Sequence, residues 1–257
     1  MSKTDSTRTA RERLAAERAA QAVRARRARL LAIVAGVLAA AVAVAVVVIV
    51  VARQKDDEGR SVKTEAVSYS GPSAPVARHA DGSVTMGRTK VSKPVLELFE
   101  DFQCPACKAL ETSLGGTMRK LAADGRLKLV YRPFHLFQQE PLSGNSERGA
   151  NAALCVPADK WLSYHDTLYK AQPAEGTKGF SPDELVMWGR QLGVTDPKFE
   201  PCVRGMQKKA QVARMTTYAL VNRRVQGTPT MFLDGKQLTT VNSAESLTKA
   251  VDQAAAK

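Results

Sequence analysis

The chain has 257 residues, and its 38 Lys and Arg outnumber 25 Asp and Glu to give a formal charge of +13. That balance does not mark a nucleic-acid binder, because much of the excess sits in one N-terminal arm and no recognisable nucleic-acid fold accompanies it. A long uncharged apolar run also excludes a chain that is soluble domain from end to end.

The arm covers residues 1–29, where nine basic residues (Lys3, Arg8, Arg11, Arg13, Arg18, Arg24, Arg26, Arg27 and Arg29) stand against three acidic ones. Its stretch Thr9 to Arg29 is rich in Ala, Arg and Glu and suits a helix along the inner membrane surface. Residues 30–52, Leu30 to Ala52, carry no charge. At about 1.5 Å per residue they cross a hydrocarbon core of about 30 Å, which makes one N-terminal transmembrane helix and the lipid bilayer the first expected partner. Beyond the span Arg53 and Lys55 are answered by Asp56, Asp57 and Glu58, so the basic side is expected to stay cytoplasmic and the remainder to face outward. A cleaved signal peptide is the rival reading; it needs a shorter apolar core and a small-residue site where Arg53 and Gln54 stand.

Residues 53–83 are polar, carry scattered Gly and Pro, and keep no helical period, so they read as a flexible extracytoplasmic linker. The domain is expected over 84–257. Val84 to Arg88 is a short edge strand, and Pro94 to Phe99 a buried central one. Ala106 to Ala123 reads as a helix with Leu110, Leu114, Met118 and Leu121 on one stripe, weakened at Gly115-Gly116. Leu127 to Tyr131 is a second strand, parallel to the first through a crossover. From about 142 to 225 the pattern turns helical, with segments Gly144 to Val156, Lys160 to Ala171, Ser181 to Leu192 and Pro197 to Asn222. That block is too long for a loop and reads as a helical unit inserted into an α/β core. Thr230 to Leu233, Asp234-Gly235 and Lys236 to Thr239 form a hairpin, and Asn242 with Glu245 resembles a capping box for a last helix to about Ala255.

Between the central strand and its helix lies Cys104-Pro105-Ala106-Cys107. Two thiols at this spacing close and reopen a small ring. A helix starting inside the tetrad points free N–H groups at Cys104 and favours its thiolate. Pro105 fixes φ at the helix start and lacks an N–H that would be orphaned there. All four cysteines lie on the outward, oxidising side of the span and are read as two pairs, Cys104 with Cys107 and Cys155 with Cys202. The three histidines, His79, His135 and His165, have no ligand spacing to a cysteine, so neither a metal nor a cofactor is expected.

The order βαβ, helical insertion, ββα, with Leu96 to Cys107 entering the tetrad and Gly227-Thr228-Pro229-Thr230 before the hairpin, resembles the DsbA-like thioredoxin-fold disulfide oxidoreductases, in the membrane-anchored form typical of actinobacteria. The resemblance implies an α/β thioredoxin fold with an inserted helical subdomain. It also implies an enzyme that forms disulfides in exported cysteine-containing polypeptides through Cys104 and Cys107, reoxidised by an unidentified membrane partner. Thr228-Pro229 would be the cis-proline loop beside the pair, and Cys155–Cys202 is similar to a second bridge in actinobacterial relatives. Strongly oxidising relatives carry His where Ala106 stands, which implies a milder potential here; Thr before the proline points the same way. The family's buried relay acid lies six residues before the first cysteine, where this chain has Leu98. Glu100 shares the Leu98 face and is the relay candidate, with a solvated or capping acid as the alternative. The same fold serves isomerases, reductases and non-enzymatic tethered binding modules, and these are the alternative functions.

Overall fold

The computed structural model describes residues 64–140 and 142–256. The basic arm, the apolar run 30–52 and linker residues 53–63 lie outside the described residues. Among the described residues no helix is long and apolar enough to cross a membrane.

Alternation of apolar residues sets the strand at the centre. In β3 (Val95–Glu100), Leu96 and Leu98 pack into the core on one face of the sheet, while Phe99 turns to the other. β3 lies between β4 (Lys128–Pro133), parallel, and β5 (Thr230–Leu233), antiparallel. With β1 (Val76–Arg78), β2 (Val84–Met86) and β6 (Lys236–Gln237) they form one six-stranded sheet in the order β1-β2-β4-β3-β5-β6. The hairpin from β5 to β6 turns at Asp234 and Gly235, whose φ angles of +47° and +80° are those a two-residue primed turn requires.

The helix after the cysteine tetrad runs as α1 (Pro105–Leu110), a π turn (Glu111–Gly115) and α2 (Gly116–Ala123). The sequence marks this place through Gly115-Gly116, and the structure gives the reason. A Cβ on Gly115 would sit 2.5 Å from the Glu111 carboxylate, so its absence lets that side chain fold back along the helix. Leu114, Met118 and Leu121 then join Leu96, Leu98 and Tyr131 in the core on that face of the sheet.

The helical insertion comprises α3 (Leu142–Cys155), α4 (Trp161–Lys170), α5 (Pro182–Gln191), α6 (Phe199–Arg204) and α7 (Lys209–Thr217), followed by a π turn at Tyr218–Asn222. The single helix expected from Pro197 to Asn222 is broken. Met206 adopts φ +48° after Gly205, and Asn151 of α3 stitches the break by accepting from the Lys208 N–H at 2.9 Å. α8 (Ala244–Ala255) ends the domain, capped by Ser243 with Ser246 rather than by Asn242 with Glu245. Cys155 and Cys202 are bridged and join α3 to α6.

The linker expectation is corrected for residues 64–83. Val67 N–H donates to Thr167 Oγ1, Tyr69 N–H to Ser163 Oγ and Ala66 N–H to Gln191 Oε1, each at 2.9 Å, and the Thr64 carbonyl accepts from the Trp188 indole at 2.7 Å. Polar side chains on α4 and α5 thus satisfy an extended backbone that has no periodicity of its own. β1 then covers β2, so the strand expected at an edge, Val84 to Arg88, ends at Met86 and lies one place inside it.

Candidate active site

Cys104 is the N-cap of α1 and Pro105 its first residue, with Cys107 one turn on. The turn leading into it is built by Asp101, whose fully buried carboxylate accepts from the N–H groups of Gln103 (2.8 Å) and Leu136 (2.9 Å) and from the Ser146 hydroxyl. Burial raises the Asp101 pKa, against these hydrogen bonds. The Cys104 N–H donates to the Asp101 carbonyl at 3.0 Å, which closes the turn. From the far side Gln172, just past α4, donates through Nε2 to the carbonyls of Phe102 and Cys104, both at 2.9 Å.

The two sulfurs have opposite environments. The Cys104 pKa falls from 9.0 to about 6, chiefly through a hydrogen bond from the Cys107 thiol, against partial burial and helped by the N–H groups of Cys107 and Ala106. Burial pushes the Cys107 thiol far up, and its hydrogen bond to Cys104 and the Cys104 charge push it further. Cys104 is therefore the nucleophile and leaving group, and Cys107 the thiol that stays protonated. Neither is open: Cys104 is 6% exposed and Cys107 1%. Cys104 is the less buried of the two, and Thr228 lies against it. In its thiol form Cys104 Sγ donates to the Thr228 carbonyl at 3.3 Å, and the Thr228–Pro229 peptide is cis.

Glu100 is fully buried at the end of β3, so the solvated alternative is excluded. Its Oε1 lies 3.0 Å from His165 Nε2, and its Oε2 accepts from the Tyr169 hydroxyl at 3.1 Å. Glu97, on the opposite face as period two requires, instead pairs with Arg132 and Arg223. Around Glu100 lie Glu111, Arg119, Tyr131, His165 and Asp166. Arg119 donates to Glu111 at 2.8 Å and to Asp166 at 2.7 and 2.8 Å. Glu100, Glu111 and His165 bring one polar atom each within 4.8 Å of one another. A cation among them would have to displace Arg119, whose guanidinium already supplies that charge.

All six residues expected from the sequence to form the site (Cys104, Cys107, Pro105, Thr228, Pro229 and Glu100) are described. The structure puts Thr228 on the sulfur of Cys104 and buries Glu100 beneath the pair. Asp101, Gln172 and His165 were missed as organisers. Asp101 looked like one of several acids near the tetrad, and Gln172 and His165 carry no spacing signal, since they reach the site only through the insertion's packing.

The thioredoxin family's sequence pattern matches residues 79–253. No curated protein gives a match. Among solved structures the chain is similar to the reduced disulfide bond oxidoreductase DsbG of Mycobacterium tuberculosis, at 26% identity over 67% of this chain and 84% of that one, with a TM-score of 0.56. It is similar also to oxidised DsbA of the same organism, at 25% identity, covering 71% and 92%, with a TM-score of 0.57. MdbA, a thiol-disulfide oxidoreductase of Corynebacterium diphtheriae, shares the fold at 21% identity, covering 72% and 96%, with a TM-score of 0.58. The α/β thioredoxin fold with an inserted helical region is common to them.

Proposed function

This chain belongs to the thioredoxin family and is a thiol–disulfide oxidoreductase, and from that premise we propose that it forms disulfides in exported cysteine-containing polypeptides, working outside the cytoplasm from a single N-terminal membrane anchor. The observation that carries the oxidising direction is the asymmetry of the pair. Cys104, with a pKa of about 6, is a stable thiolate and hence a good leaving group, so the Cys104–Cys107 disulfide is easily reduced by a client.

A client thiolate attacks Cys104 Sγ, the Cys104–Cys107 bond breaks, and its electron pair goes to Cys107. A second client thiolate then displaces Cys104, leaving the client oxidised and the pair reduced. Pro105 holds the helix start, and the Thr228 backbone beside Pro229 lines up the client chain. Glu100 relays the proton of Cys107. A membrane oxidant returns the pair to the disulfide. The excess positive charge of residues 1–29 beside the uncharged run 30–52 supports the anchor and its orientation.

Two experiments on intact cells test this. Acid quenching and thiol alkylation read the redox state of Cys104 and Cys107: mostly disulfide is expected, and mostly dithiol would assign a reductase instead. C107S should accumulate mixed disulfides between Cys104 and exported proteins, and their absence would remove the client class.

A further inference from the structure

β3, the π turn, α2, β4 and α4 enclose a set of ionisable groups beneath Cys107. His165 of α4 is at its centre, with no exposed surface. Its Nε2 lies 3.0 Å from Glu100 Oε1 and its Nδ1 3.2 Å from Asp166 Oδ1. The rings of Trp161, Tyr131, Tyr169 and Phe102 surround it, with centroids 4.8 to 5.6 Å away. We propose that His165 is a positioning residue that holds the Glu100 carboxylate and keeps the proton which Glu100 passes to Cys107. This rests on the exchange reaction and Glu100 relay proposed above.

The balance of charge around the ring sets its state. Each nitrogen faces a carboxylate oxygen, against one of which a neutral imidazole would set a lone pair, while Nδ1 also lies 3.4 Å from Arg119 Nη2, a donor that a lone pair there would accept. Only the doubly protonated ring donates on both sides. The charge around it favours a proton: among the described residues, Glu100 from β3, Glu111 from the π turn and Asp166 from α4 itself are three carboxylates, against the one permanent cation of Arg119 from α2. Tyr131 from β4 and Tyr169 from α4 are neutral phenols, their pKa values raised by burial. Burial alone would drive the ring neutral, but the Glu100 charge, the hydrogen bonds to Asp166 and Glu100, and the Glu111 charge hold its pKa up at about 10.

Cys107 is 1% exposed, so a thiolate formed there has little solvent to take a proton from. Glu100 is close enough that its charge contributes to raising the Cys107 pKa. When a client thiolate opens the disulfide, the bond's electron pair goes to Cys107 Sγ. The proton on His165 Nε2 passes to Glu100 and from Glu100 to that sulfur, which leaves a thiol and a neutral ring still donating through Nδ1 to Asp166. When Cys107 is reoxidised, its proton returns by the same route to Nε2. The client's two thiol protons go to solvent, and its electron pair goes to the Cys104–Cys107 pair.

The test uses the full-length oxidised protein, a small dithiol as reductant, and stopped-flow rates across pH. H165Q keeps an N–H for Glu100 but has no proton to give. It should slow formation of the dithiol form at least about tenfold, remove one inflection from the rate–pH profile, and leave the Cys104 pKa in place. E100Q with H165Q should be no slower than E100Q alone. Unchanged rates in H165Q, or a loss matched by a moved Cys104 pKa, would overturn the proposal. Should H165Q not fold, nitrogen NMR of His165 in the oxidised wild type decides: a bare Nε2 at neutral pH sinks it. A wild type that does not react with the dithiol defeats the exchange reading itself, a result distinct from these.

Discussion

Replacing Cys107 by Ala isolates what holds the Cys104 thiolate. At pH 7 a thiol of pKa about 6 is roughly 90% ionised, against about 1% at the ordinary value of 9.0. The Cys107 S–H is the largest contributor to that depression. A hydrogen bond to a charged group is worth about 1.5–3 kcal/mol, and one pKa unit about 1.4 kcal/mol. C107A should therefore bring Cys104 to between about 7 and about 8, cutting the thiolate at pH 7 to between about 50% and about 10%. Since Cys155 and Cys202 are bridged, Cys104 is the only free thiol in this variant, and its titration by thiolate absorbance and by iodoacetamide rate is unambiguous. C107S retains a donor and should stay near the wild type. If C107A titrates with the wild type, the partner thiol is not what stabilises the anion, and the helix-start N–H groups carry it instead.

Other consequences follow from the same structure. Q172A removes two hydrogen bonds on the carbonyls of Phe102 and Cys104; it should raise the Cys104 pKa and slow client oxidation, with a loss of about 1–3 kcal/mol in stability measured by urea unfolding. Opening the Cys155–Cys202 bridge as C155A/C202A frees a loop with a separation of 47 residues and should cost about 4 kcal/mol by chain entropy, read from the same unfolding curves. R119M strips Glu111 and Asp166 of their buried cation and should destabilise by about 3–5 kcal/mol, more than any exposed Arg substitution. The pH dependence of the melting temperature is set partly by His165, raised from 6.5 to about 10, and Glu111, raised from 4.5 to about 7 by burial. A value raised on folding contributes stability that is full below the unfolded pKa and lost through the folded one. In the oxidised protein, where neither Cys104 nor Cys107 titrates, these two groups should make stability fall as pH rises from about 5 to 10, and H165Q should flatten the upper part, from 6.5 to about 10.

Much of this was legible because local chemistry and global fold agree. The period-two run at Leu96 to Glu100 named the central strand and put Glu100 on the face of Leu98, where the structure buries it. Asp234-Gly235 specified its turn, since few residues accept two positive φ angles. Cys104 and Cys107 were fixed by their spacing at a helix start. What escaped depends on contacts between segments far apart in sequence. Residues 64–69 have no pattern of their own, and their order comes from Ser163, Thr167 and Gln191 on the insertion. Gly205 carried the break in the long C-terminal helix, but a single glycine does not end a helix without Asn151 to satisfy the freed backbone. His165 was read only for ligand spacing, and its place between Glu100 and Asp166 follows from α4 packing against β3 and β4.

Everything proposed for this protein depends on Cys104 trading bonds with client thiols. Oxidised protein mixed with an equimolar reduced dithiol peptide tests it most directly, by mass spectrometry of both partners after acid quenching. One peptide disulfide should form for each Cys104–Cys107 disulfide lost, with no transfer by C104S. A peptide that stays reduced beside the wild type, or is oxidised equally by C104S, would contradict it.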